Sequence, residues 1–88
     1  MIFSKDVMDK MAPVVWAEDT IEAKIEALVA NFKDQVNYNT AEEWADFFYN
    51  FGDTVSTEKA RRILNKLVAK GVFTGKQKTG RYTFYNTL

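Results

Sequence analysis

Apolar residues recur along the chain at two spacings, and the spacings divide it into four helical segments and a terminal hairpin. Val7, Met8 and Met11 share one helical face. Ser4 offers an N-cap hydroxyl, Phe3 offers a staple onto Met8, and Pro13 is expected to end this short first helix. Val14-Val15-Trp16 then reads as an apolar connector, extended or turn-like. A second helix is expected from Asp19 as N-cap, with Glu22 completing a capping box. Its stripe of Ile21, Ile25, Leu28, Val29 and Phe32 lies on the core and runs to about Asp34. Val36-Asn37-Tyr38-Asn39 reads as a turn with a brief extended stretch.

The next two helices are the best marked. Thr40 and Glu43 form a capping box, Trp44, Phe47, Phe48 and Phe51 line one side, and Gly52 stops the helix in the left-handed region. Asp53-Thr54-Val55 is the turn, Ser56 caps the helix that follows, and that helix runs to Lys70 before Gly71. At about 100° per residue, Ala60, Leu64, Leu67 and Val68 fall on one side. Glu58, Lys59, Arg62 and Lys66 fall on the other, with Asn65 at its edge. The hairpin is expected to pair Val72-Phe73-Thr74 with the run from Arg81 to Asn86, Tyr82 and Phe84 pointing inward. Gly75 and Gly80 would bracket a basic tip, Lys76-Gln77-Lys78-Thr79.

Composition removes most chemistry. The 88 residues are 47% hydrophobic and 15% aromatic, which suits one folded domain. Cysteine and histidine are both absent, so disulfides, thiolate metal sites and the usual zinc ligand and general base are gone. No metal and no cofactor is expected. The acids Glu42 and Glu43 are adjacent on a helix and diverge, and the Gly75 to Gly80 stretch lacks the spacing of a phosphate loop, so an enzyme is not expected. No apolar run approaches the ~18 residues of a membrane span, and the first residues do not read as a signal peptide. The expected place is the cytoplasm, on the nucleoid when bound to DNA.

Net charge is zero, yet its distribution is lopsided. Residues 1–51 carry four lysines against ten acids, whereas residues 52–88 carry eight basic residues against Asp53 and Glu58. Asymmetry of this kind points to one surface suited to anions. Glu18, Asp19, Glu22, Glu42 and Glu43 mostly sit at helix starts, where the dipole favours them, and a contact surface for a basic protein is the other reading of that half.

The order of helix, capped helix, short turn, capped basic helix, glycine and hairpin resembles the winged helix-turn-helix superfamily. The residues that carry it are Thr40 to Phe48 before the turn, Ser56 to Leu64 after it, Leu67 to Phe73 at the helix exit, and Gly80 to Tyr85 in the wing. The resemblance implies a mostly α fold with a C-terminal β-hairpin: a three-helix core plus wing over residues 19–88. Residues 1–18 would add a short N-terminal helix and connector, as support or interface.

It also implies binding to double-stranded DNA, as a small transcriptional regulator. The helix at 56–70 would enter the major groove, and the wing at 75–81 would follow the backbone or the minor groove. Thr57, Lys59 and Arg62 would stand nearest the bases, with Lys66 one turn further and Asn65 a sideways candidate for adenine. Ser56 and Thr57 suit a phosphate, and Arg61, Lys76, Lys78 and Arg81 complete the expected set. A homodimer would use Ile2, Phe3, Val7, Met11 and Trp16. Two alternatives stay open: a winged helix that docks on a larger protein complex, and one that binds RNA within a ribonucleoprotein.

Overall fold

A computed structural model describes residues 3–87. They form five helices and three strands: α1 (Lys5–Ala17), α2 (Ile21–Asn31), α3 (Lys33–Val36), β1 (Asn39–Thr40), α4 (Ala41–Tyr49), α5 (Thr57–Lys70), β2 (Gly75–Thr79) and β3 (Tyr82–Asn86). The chain is mostly helical, with a small antiparallel sheet of order β1-β3-β2.

Three of the four expected caps form as read. Ser4 Oγ accepts from Val7 N–H, Thr40 and Glu43 make the reciprocal capping box, and Ser56 Oγ accepts from Lys59 N–H. The fourth moves by one residue. Thr20, not Asp19, caps α2, its hydroxyl accepting from Ala23 N–H at 3.1 Å.

The first helix corrects a stronger expectation. Pro13 lies inside α1, and the supposed connector Val14-Val15-Trp16 is helical. A proline within a helix costs roughly 3 kcal/mol, through a lost bond and a clash with the carbonyl four residues back. That carbonyl belongs to Asp9, an exposed residue. Continuing the helix carries Val15 into the core beside Met11, both fully buried, and burial of one such side chain contributes about 1.5–3 kcal/mol.

The second helix breaks earlier than its stripe suggests. Phe32 leaves helical geometry (φ −135°, ψ 42°) and the four-residue α3 then buries Val36. Tyr38 next takes a left-handed conformation, φ 65°. Its N–H donates to Tyr85 O at 2.9 Å and its ring stacks on Phe84 at 4.4 Å, which offsets a cost of about 1–2 kcal/mol.

The core is a single cluster. Trp44, Phe47 and Phe48 from α4 meet Leu64 and Leu67 from α5, Ile25 and Leu28 from α2, and Phe73 and Tyr85 from the C-terminal segment. Ring centroids of Trp44, Phe47, Phe48 and Phe73 lie 5.1–6.4 Å apart, edge-on except for the stacked pair Trp44 and Phe48, the separations of favourable aromatic packing. Gly71 closes α5 in the left-handed region (φ 84°), with Val72 N–H returning to Leu67 O.

The hairpin is displaced from its expected place. Val72-Phe73-Thr74 is not a strand, and the stretch read as a tip, Lys76 to Thr79, is β2 itself. The true turn is Gly80-Arg81, flanked by the pair Thr79 and Tyr82. Positive φ at Gly80 (62°) but not at Arg81 is the pattern of a two-residue turn led by glycine. Gly75 needs no special backbone and simply starts the strand. The faces invert as well: Tyr85 is the buried residue at 2% exposure, and Tyr82 is 44% exposed. Strand side chains alternate, so misjudging the inward residue by one reverses every assignment.

Candidate functional site

The outer surface of α5 has two flanks, and each faces a different part of the chain. On the α2 side, Lys66 Nζ lies 3.0 Å from Glu22 Oε1. Lys70 Nζ lies 3.3 Å from Glu22 Oε2 and 3.0 Å from Glu26 Oε1. Hydrogen bonds from Lys66 and then Lys70 hold the Glu22 carboxyl below its usual range, and hydrogen bonding to Glu26 and then Glu22 raises the Lys70 ammonium. Two cations of the basic half are therefore matched internally. The signal was present in the sequence: acids four apart on one helix, Glu22 and Glu26, complement lysines four apart on another, Lys66 and Lys70.

On the hairpin side, Asn65 Oδ1 accepts from both Lys76 Nζ (3.0 Å) and Tyr85 OH (2.9 Å). An ammonium can only donate, so Lys76 fixes the Asn65 amide with its oxygen turned toward the hairpin. Bidentate readout of adenine needs both ends of the amide, and here one end is occupied. Asn65 is a tie between α5 and the hairpin. Tyr85 is buried, and its phenol is raised above the usual value chiefly by that burial.

The strand register then sets the direction of the hairpin cations. Lys76 pairs with Tyr85 and Lys78 with Thr83, so both lysines project from the sheet face that Tyr85 turns toward α5. Both are exposed. Arg81 sits at the turn, its guanidinium 5.5 Å from the Tyr82 ring centroid.

The other expected contacts divide as follows. Arg62 stands on the outer ridge of α5, exposed, beside a shallow depression shared with Glu22, Lys59, Ile63 and Lys66. Among the described residues, Lys59, Arg62 and Lys78 make no ion pair. Arg61 leans toward α4, 4.0 Å from Glu42 Oε1. Ser56 commits its oxygen to the Lys59 amide at 3.1 Å, and Thr57 is half-buried in the first turn. Lys66 is the member of the expected set that the structure brings against an acid at close range.

No family model, curated protein or solved structure matches this chain. What the surface can do rests on its own geometry.

No group of three potential metal ligands occurs among the described residues, and no described helix is long and apolar enough to cross a membrane. Of the residues expected at a dimer contact, Met11 is fully buried, and Phe3 and Val7 pack against the core. Trp16 stays 67% exposed, edge-on to Phe51 at 6.1 Å, and Ile2 lies outside the described residues. One pairing escaped the sequence reading altogether. Lys24, 8% exposed, bonds Asp53 Oδ2 at 3.0 Å and fastens α2 to the turn before α5.

Proposed function

We propose that the chain is a winged helix-turn-helix module that binds double-stranded DNA, with α5 toward the major groove and the β2–β3 hairpin on the flanking backbone. The observation that supports this most is the shared Asn65 Oδ1, which ties Lys76 and Tyr85 of the hairpin to α5, the helix that carries the exposed Arg62 and Lys59. A rigid pair of cationic elements presents its charges together, and positive charge in register with phosphates supplies most of the affinity of such modules. Arg62 is the reading residue of choice because its planar fork matches guanine O6 and N7. With Lys66 and Lys70 spent on Glu22 and Glu26, about four phosphate contacts remain, and log K should fall against log salt with a slope of roughly −4.

The test is binding to mixed duplex DNA at two salt concentrations, for the natural chain, Arg62→Ala and Lys78→Ala. Arg62→Ala should lose about 1–3 kcal/mol on a preferred site, and Lys78→Ala should weaken all sequences evenly. Affinity that ignores salt and both substitutions would refute the proposal. A second reading, docking on another protein, is favoured by Trp16, whose exposed indole borders a groove with Phe3, Met8, Ala12 and Phe51. Tighter binding to duplex RNA than to DNA would favour a ribonucleoprotein partner.

A further inference from the structure

We propose that Arg61 and Arg81 form one site for a single phosphate oxyanion, with the Glu42 carboxylate on its wall as an internal stand-in in the free protein. The committed ligand is a phosphodiester of bound nucleic acid, so that part rests on the duplex-binding reading; the site's chemistry for a phosphate does not.

Four elements converge on a small cavity of about 80 Å³ lined by Ala41, Glu42, Arg61, Arg81, Thr83 and Tyr85. Arg61 comes from α5, Arg81 from the hairpin turn, Glu42 from the first turn of α4 and Thr83 from β3. A water's share of liquid volume is about 30 Å³, so the space suits two or three waters or one tetrahedral oxyanion. Two guanidiniums against one carboxylate leave a single positive charge, which matches one phosphodiester. Planar forks suit phosphate oxygens better than ammonium groups do.

The stand-in is loosely held. Arg61 Nη2 and Glu42 Oε1 are 4.0 Å apart, with both side chains 51% exposed, a distance and setting in which an ion pair is weak and exchangeable. Tyr85 already donates its proton to Asn65, and Thr83 leaves a hydroxyl on the wall without a hydrogen-bond partner among the described residues. Hence the cavity is walled by two arginines and one threonine, with Glu42 as the competing anion; the Arg81 guanidinium, 5.5 Å from the Tyr82 ring centroid and without an ion pair among the described residues, is the second fork available to a ligand.

Inorganic phosphate is the first probe, followed by the guanidinium N–H resonances. Those of Arg61 and Arg81 should shift together and saturate together, while that of Arg62 stays still. Glu42→Gln removes the competitor and should tighten the phosphate response several-fold, whereas a purely structural Glu42 would give no gain. On duplex DNA, Arg61→Ala and Arg81→Ala should each cost about tenfold, and the double variant little more than either, because both act on one phosphate. Independent losses of about a hundredfold together, or weaker phosphate binding by Glu42→Gln, would overturn the site. If phosphate moves both arginines but no duplex binds, the site stands and the DNA reading falls. If duplex binding is sensitive to Arg62→Ala yet phosphate leaves Arg61 and Arg81 unmoved, the reading stands and the site falls.

Discussion

The two flanks of α5 carry similar residues and do different things. Facing α2, Lys66 and Lys70 are gripped by Glu22 and Glu26 at 3.0–3.3 Å. Facing the hairpin, Arg61 has only a distant acid, and Asn65 binds Lys76 and Tyr85 through its oxygen. The lesson concerns charge as a resource. Eight basic residues in the last 37 positions look like one anion-binding face, but a cation with a close internal acid must break that pair before it can serve a ligand. What counts is positive charge left unmatched after folding, and that charge lies on the ridge and the hairpin side.

The comparison breaks most visibly if the hairpin is undocked. Tyr85→Ala removes a fully packed ring from the joint between hairpin and α5, and it should cost about 3–5 kcal/mol in a denaturant melt, as large aromatic truncations do. A loss under 1 kcal/mol would mean the hairpin is not held by that joint. Asn65→Ala should cost less, about 1–3 kcal/mol, since it leaves the Tyr85 hydroxyl without its acceptor. The same variant should loosen the hairpin, seen as faster amide exchange in β2 with α4 unchanged. Equal protection in both strands before and after would contradict the tie.

Lys66→Ala sharpens the comparison from the other side. An exposed ion pair contributes about 0–1 kcal/mol, so stability should barely move, and duplex affinity should fall less than for Arg62→Ala. The smallest effect is a pH response. Glu22 has a lowered folded-state pKa, so its contribution is present above the ordinary carboxylate value and is lost as pH falls through the lowered one. Lys70 has a raised pKa, so its contribution is present below the ordinary lysine value and disappears as pH rises through the raised one. Glu22→Gln should therefore flatten part of the acid limb of a stability–pH profile. An unchanged acid limb would mean the cluster does not form in solution.

Much of the fold was legible because local signals were strong and agreed. Thr40 with Glu43, Ser56, Gly71 and the stripe of Trp44, Phe47 and Phe48 each declare a helix end or a core face without reference to distant residues. The failures came where tertiary gain overrode a local rule. Pro13 should break a helix, yet burial of Met11 and Val15 carries α1 past it. Gly75 looks like punctuation, yet only Gly80 takes a backbone that requires glycine there. Tyr82 and Phe84 look like the inner face, yet the two-residue turn sets a register that turns Tyr85 inward. On the basic surface, which residues carry charge was legible and which of them stay unmatched was not. Arg62 and Lys66 sit at equivalent positions on the polar side, and only the approach of α2 separates them.

The most direct measurement compares the slope of log K against log salt for duplex DNA in two double variants, Lys59→Ala with Lys78→Ala, and Lys66→Ala with Lys70→Ala. If unmatched charge is what binds, the first should lose about 1.8 from the slope, at roughly 0.9 per phosphate contact, and the second close to nothing. Equal losses in the two variants, or a larger loss in the second, would contradict that account.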